Sequence, residues 1–382
     1  MFSAYSSDRE GVMSKHADRF GCLLRISALI LSGIAGPPLF PLLSSSDAEA
    51  RDFGSASAKT YFDRGLEWYR KGEPGRAIAD FNVALTFDRD FADAYCSRAL
   101  ARLAQGEWDE ALADLNKAID IQPRFAEAYY NRGLTYQSKG ELGNAVADYG
   151  RAIHLKPRLA SAYLNRAGAY CQSGDLRAAL VDLNRAITLN SHLAQAHNSR
   201  GVVQYLQGDL EKAMADFDRA IKLDGRIVET YVNRACLRVE RGDLGGAFAD
   251  VDEALRLAPT LAPAYFVRGN AWRDKGDPER AQAAYTKAIE MDSRYSQAYR
   301  NRGDLCFSQG NLVAALADYQ KVVELDSRLG SMNLDRGFHL PVQSIAGRSE
   351  NDSHQVLRTQ GQITFVEKRI EEIKRELASG KE

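Results

Sequence analysis

The 382-residue chain has almost no excess of charge: 50 Lys and Arg stand against 51 Asp and Glu, a net of −1. A nucleic-acid binder or a ligand of anionic membranes concentrates positive charge, so neither class has an electrostatic basis here. Histidine is scarce, six in all, and none stand at ligand spacing; His192 and His197 lie five apart across the start of a helical segment, and no metal site is expected. Of the five cysteines, Cys96, Cys171, Cys236 and Cys306 are too scattered for any pair to meet disulfide limits and read as small apolar fillers. The chain also lacks a phosphate-cradling glycine loop, an H-E-x-x-H pair and a serine elbow. No catalytic residue and no small-molecule cofactor is therefore expected.

What is present is a repeat. Ala126 to Leu159 recurs every 34 residues, and eight copies fit without a gap, starting at Ala58, Ala92, Ala126, Ala160, Ala194, Val228, Ala262 and Ser296 and ending at Leu329. A unit of this length cannot bury its own apolar face, so stacked neighbours supply the core. Position fifteen is glycine in every copy, from Gly72 to Gly310, and predicts a left-handed helix stop. An acidic or amide residue follows, then Pro74 or Pro278 in two copies, which predicts the start of a second helix. Position eight is Gly or Ala and position twenty is always Ala, whereas Tyr at position four and Phe, Leu or Tyr at position twenty-four are the bulky core fillers. Large facing small predicts two closely packed helices per copy.

Arg stands at position seven in all eight copies, and position twenty-three, opposite it in an antiparallel pair, is Asp in all but the seventh, which has Ala284. An ion pair is expected inside every other repeat, as between Arg132 and Asp148 or Arg166 and Asp182. The alternative is that the Arg stem only packs.

The third copy carries Tyr129, Arg132-Gly133, Tyr136, Ala145, Tyr149 and Pro157. In this order the chain resembles the tetratricopeptide repeat proteins, with Arg where that family usually has Leu. The resemblance implies an all-α, right-handed superhelical solenoid over residues 58–329 whose first helices present a groove to a protein or an extended peptide. Family geometry puts positions two, five, six, nine and twelve on that groove; positions five, nine and twelve give Phe62, Leu66, Tyr69, Leu100, Leu103, Tyr130, Leu134 and Leu164. Position six adds Asn131, Asn165, Asn233 and Asn301, a row similar to the asparagine ladder of some members; the competing reading is that these amides bond a neighbouring helix. Phe62 and Leu66 stand where the family's chaperone-tail clamp begins, so chaperone tails are not expected partners.

Residues 1–50 differ from the rest. Lys15, His16, Arg19 and Arg25 precede an apolar run from Ile26 to Leu43, and Ala48-Glu49-Ala50 closes it. This resembles a bacterial secretory signal, with Met13 as an alternative start, and places the repeats in the periplasm or outside the cell. An uncleaved membrane anchor is the alternative, disfavoured by Pro37, Pro38 and Pro41. Within an exported protein, an adaptor for cell-wall enzymes is a second reading of the same scaffold. Beyond Leu329, residues 330–341 read as a partial ninth copy acting as a cap, 342–354 as a linker, and 355–379 as an amphipathic helix. That helix either forms a weak homodimer or packs back on the solenoid.

Overall fold

A computed structural model describes residues 53–335, 366–375 and 377–378, and all of its described elements are helices. The chain divides into two compact units, one spanning residues 31–196 and the other containing residues 197–382. The first holds α1 (Phe53–Arg70), α2 (Pro74–Phe87), α3 (Ala92–Gln105), α4 (Trp108–Ile121), α5 (Ala126–Ser138), α6 (Leu142–Leu155), α7 (Ala160–Gln172) and α8 (Leu176–Leu189). The boundary falls within α9 (Ala194–Leu206). The second unit continues with α10 (Leu210–Leu223), α11 (Val228–Glu240), α12 (Leu244–Leu257), α13 (Ala262–Asp274), α14 (Pro278–Met291), α15 (Ser296–Ser308) and α16 (Leu312–Asp335). A last helix, α17, covers residues 366–375.

Each 34-residue copy is thus a helix pair. The glycine at position fifteen has φ between 76° and 87° in all eight. At Gly72 its own N–H reaches the Tyr69 carbonyl and the next N–H, that of Glu73, reaches Trp68. These two bonds satisfy the last carbonyls of the first helix and turn the chain. At the residue after glycine, length matters but does not decide alone, since Asp209 makes no cap and is paired with Lys212 instead. Asp175, Asp243, Asp277 and Asn311 accept a bond from the backbone N–H three residues on. Glu73, Glu107 and Glu141, one methylene longer, make no such cap.

Small against large is obeyed pair by pair. A Cβ added at Gly133 would lie 2.8 Å from the Tyr149 ring, and one at Gly65 only 2.6 Å from Phe81. Glycine at position eight always faces an aromatic residue at twenty-four. Alanine there (Ala99, Ala167, Ala235) always has Leu115, Leu183 or Val251 at twenty-four. This covariation is written in the sequence and distinguishes the copies.

Two expectations need correction. The position-four tyrosines are not core fillers: most are only partly buried, and those of the fourth, sixth and seventh copies donate their hydroxyls to the carbonyl of the turn before their own repeat, at Pro157, Gly225 and Pro259. The chain also does not turn at Leu329 into a separate cap, because α16 runs on to Asp335. A ninth copy would place Asn333 where seven of the eight earlier copies have Tyr, and Met332 where they have Ala or Thr.

The segment read as a secretory signal, the linker at 342–354, and Val356 and Ile363 of the amphipathic stretch lie outside the described residues. Of that stretch, Val366 and Ile373 are buried against the eighth repeat and Ile370 packs partly on it. Among the described residues no helix is long and apolar enough to cross a membrane.

Candidate functional site

Arg at position seven is the busiest side chain of each repeat. Arg132 donates from Nε and Nη2 to Asp148 at 2.7 and 2.8 Å, and Arg166 does the same to Asp182. Equivalent two-pronged bonds join Arg64 to Asp80, Arg98 to Asp114, Arg200 to Asp216, Arg234 to Asp250 and Arg302 to Asp318. The fork matches a carboxylate in plane, and these charge-assisted bonds hold the Arg132 and Arg166 guanidiniums above their ordinary pKa. The third nitrogen often reaches back one repeat, from Arg98 to Asn82, Arg132 to Asn116, Arg234 to Asp218 and Arg302 to Thr286. In the seventh repeat, where Ala284 replaces the acid, Arg268 keeps only this backward contact, to Asp252. The position-four Tyr ring stacks on the same guanidinium, 5.4 Å away at Arg132 and 5.8 Å at Arg166. The arginine therefore joins helix to helix and repeat to repeat.

The asparagine row is deep in the structure. Asn131 and Asn165 have no exposed surface, and Asn233 and Asn301 next to none. Each gives an amide hydrogen to the preceding repeat: Asn131 to Cys96 Sγ, Asn165 to the Tyr130 hydroxyl, Asn233 to Asn198 and Asn301 to Asn270. In three of the four the acceptor is position five of the previous copy. Where that position is Phe62, the next copy has Ser97 at position six, whose buried hydroxyl makes no bond. These amides link consecutive repeats.

Of the apolar groove candidates, Phe62, Leu66, Leu100, Tyr130, Leu134 and Leu164 are buried. Phe62 and Leu66 share one cluster with Phe81, and Tyr130 and Leu134 another with Tyr149. Only Tyr69 and Leu103, both at position twelve, are partly exposed. Burial raises the Tyr69 hydroxyl above its ordinary pKa. The same row continues through Gln137 and Cys171, both partly exposed. Position two, on the groove by family geometry but without named candidates, contributes Asp93 and Ser161, also partly exposed; both rows change chemistry at nearly every copy. Their signal in the sequence was this variability beside otherwise regular columns.

Among the described residues, Cys96, Cys171, Cys236 and Cys306 form no disulfide. Burial pushes Cys96 and Cys171 up to about 12, so neither is a thiolate at neutral pH. Among the described residues no cluster of His, Cys, Asp and Glu could hold a metal ion.

Models of the tetratricopeptide repeat match residues 100–140 and 167–208, 126–159 and 194–226, and 266–328. No curated protein matches the chain. Among solved structures, the fold is similar to a tetratricopeptide repeat protein from Parabacteroides merdae, at 20% identity and TM-score 0.53 over 64% of this chain and 97% of that one. It is also similar to Pseudomonas aeruginosa pilF, at 18% identity and 0.51 over 56% and 97%. A third is the APC/C Cut9–Hcn1 hetero-tetramer, at 14% and 0.55, where the match covers 76% of this chain and 57% of that one. At these identities the likeness is one of fold. The helix pairs of the matched stretches carry the tetratricopeptide repeat pattern, with its glycine stops and matched small and large positions.

Proposed function

We propose that this chain is a non-catalytic scaffold that holds a protein or an extended peptide against the first helices of its repeats. One observation supports this most. The columns that build the scaffold (positions seven, eight, fifteen, twenty and twenty-three) are repeated almost unchanged, while columns two and twelve, at least partly exposed in most copies, vary from copy to copy. A surface varied along a regular frame is suited to reading a partner's side chains in sequence. In the first unit the apolar contacts would come from Tyr69 and Leu103, with Asp93 and Gln137 supplying polar ones.

The leader-like segment ending at Ala48-Glu49-Ala50 supports export, so the partner is sought among envelope proteins. N-terminal sequencing of exported protein checks the first point: a start at Arg51 is expected, and an intact Met1 or Met13 would favour the anchor.

Pull-down from periplasmic extract with quantified recovery tests the groove. Tyr69→Ser with Leu103→Ser is expected to lower recovery of the main partner at least tenfold per folded molecule, with a lower melting temperature as well because both side chains also pack on the core. Asn131→Ala with Asn165→Ala is expected to melt early, at about 0.5 to 1.5 kcal/mol per lost bond, and to bind normally per folded molecule. The opposite pattern would return the ligand contact to the asparagine row and remove it from column twelve.

A further inference from the structure

Inside the first unit, positions twenty, twenty-four and twenty-seven of the third repeat (Ala145, Tyr149, Ala152) pack with Ala162 and Ala169 on the first helix of the next copy. In the eighth repeat the same positions, Ala315, Tyr319 and Val322, pack with Val366 and Ile373 of α17. Both incoming pairs are seven residues apart, two turns of one helix face. Thus α17 stands where the first helix of a ninth copy would stand, but it brings larger side chains and comes from beyond residues 336–365. The contact is compact. Three apolar side chains make it, with Arg369 lying 4.8 Å from the Phe307 ring and close enough to Asp304 for their charges to interact.

A connection of that length can reach on the order of 100 Å at about 3.3 Å per residue, so the covalent chain does not oblige α17 to cover its own repeat. We propose that the end face of the eighth repeat accepts α17 from a second copy of this chain, two molecules exchanging C-terminal helices in a symmetric dimer. Face and helix are identical in both copies, so the complementarity seen within one chain is available between two. In a single molecule the tether holds the helix at an effective concentration in roughly the millimolar range. Exchange between intact chains therefore gains only at high local concentration, and becomes visible at micromolar concentration once the internal competitor is removed.

Two full-length variants isolate the exchange. Ile370→Asp with Ile373→Asp leaves the face intact and spoils the helix; Val322→Lys leaves the helix intact and spoils the face. Sedimentation velocity at tens of micromolar is expected to show each alone as a monomer and the mixture as a one-to-one complex, dissolved by excess synthetic peptide of residues 360–382 but not by that peptide carrying both Asp substitutions. Because Val322→Lys could unfold α16, the peptide is also titrated against the helix-defective chain, whose repeats are unaltered. Saturable binding at least tenfold tighter than to the wild-type chain is expected. Failure of the peptide to bind a helix-defective chain that keeps its helical circular dichroism and melting temperature would overturn the proposal, as would equally tight binding to wild type.

Discussion

Arg166→Ala is expected to lower stability by about 3 to 5 kcal/mol, because it leaves the Asp182 carboxylate, 3% exposed, without both guanidinium bonds. Asp182→Ala should cost less, about 1 to 3 kcal/mol. The side chain it strands is 21% exposed and can carry its head group toward water along an apolar stem. The chain contains its own control in the seventh repeat, where Arg268 faces Ala284 and leans on Asp252 instead. Ala284→Asp should accordingly be neutral or stabilising, restoring the two-pronged bond of the other copies. Urea unfolding measures the three effects, and amide hydrogen exchange over α7 and α8 checks that the loss begins in the fourth repeat, since stacked repeats need not unfold as one unit. Near-zero losses at both Arg166 and Asp182 would reduce the pair to packing of the arginine stem.

Gly133→Ala is expected to destabilise despite the better helix propensity of alanine. The new methyl would lie 2.8 Å from the fully buried Tyr149 ring; overpacking of this kind costs about 1 to 3 kcal/mol, against a propensity gain of up to about 1. Tyr149→Leu alone should cost about 2 to 4 kcal/mol, from the space left beside Gly133 and loss of the hydroxyl bond to Gln137. The double variant recreates the alanine and leucine pairing native to the second and fourth repeats. It should therefore be more stable than the two losses summed, by about 1 to 2 kcal/mol in thermal or urea unfolding. Additive losses would show that positions eight and twenty-four do not choose one another, and that their covariation over eight copies has another cause.

Much of the scaffold was legible because its signals are local or obey the antiparallel pairing of one short turn. A glycine with φ near 80° ends a first helix wherever it stands, and once the turn is placed, position seven must face twenty-three; the arginine pairs and their exception at Ala284 follow from counting. The same counting could have shown that glycine at eight goes with an aromatic residue at twenty-four, since both columns are in the sequence. The groove was harder. Columns five and six carry residue types that suit a ligand, but Asn165 is bonded to Tyr130 and Asn131 to Cys96, so the amides link consecutive copies.

The sequence by itself determined the repeat length, the helix pairs, their turns and the ion pairs within them, because each depends on residues a turn or a hairpin apart. Tertiary structure decided which columns remain partly exposed, which nitrogen of each arginine reaches backward, and that residues 366–375 cover the last repeat. Those outcomes depend on how one copy stacks on the next: a polar side chain of the same type is a ligand contact or an internal link according to whether the neighbouring helix offers an acceptor at that height. No single copy contains that information. It arises only when two copies are set side by side, and at the eighth repeat only when a distant helix takes the place of a ninth.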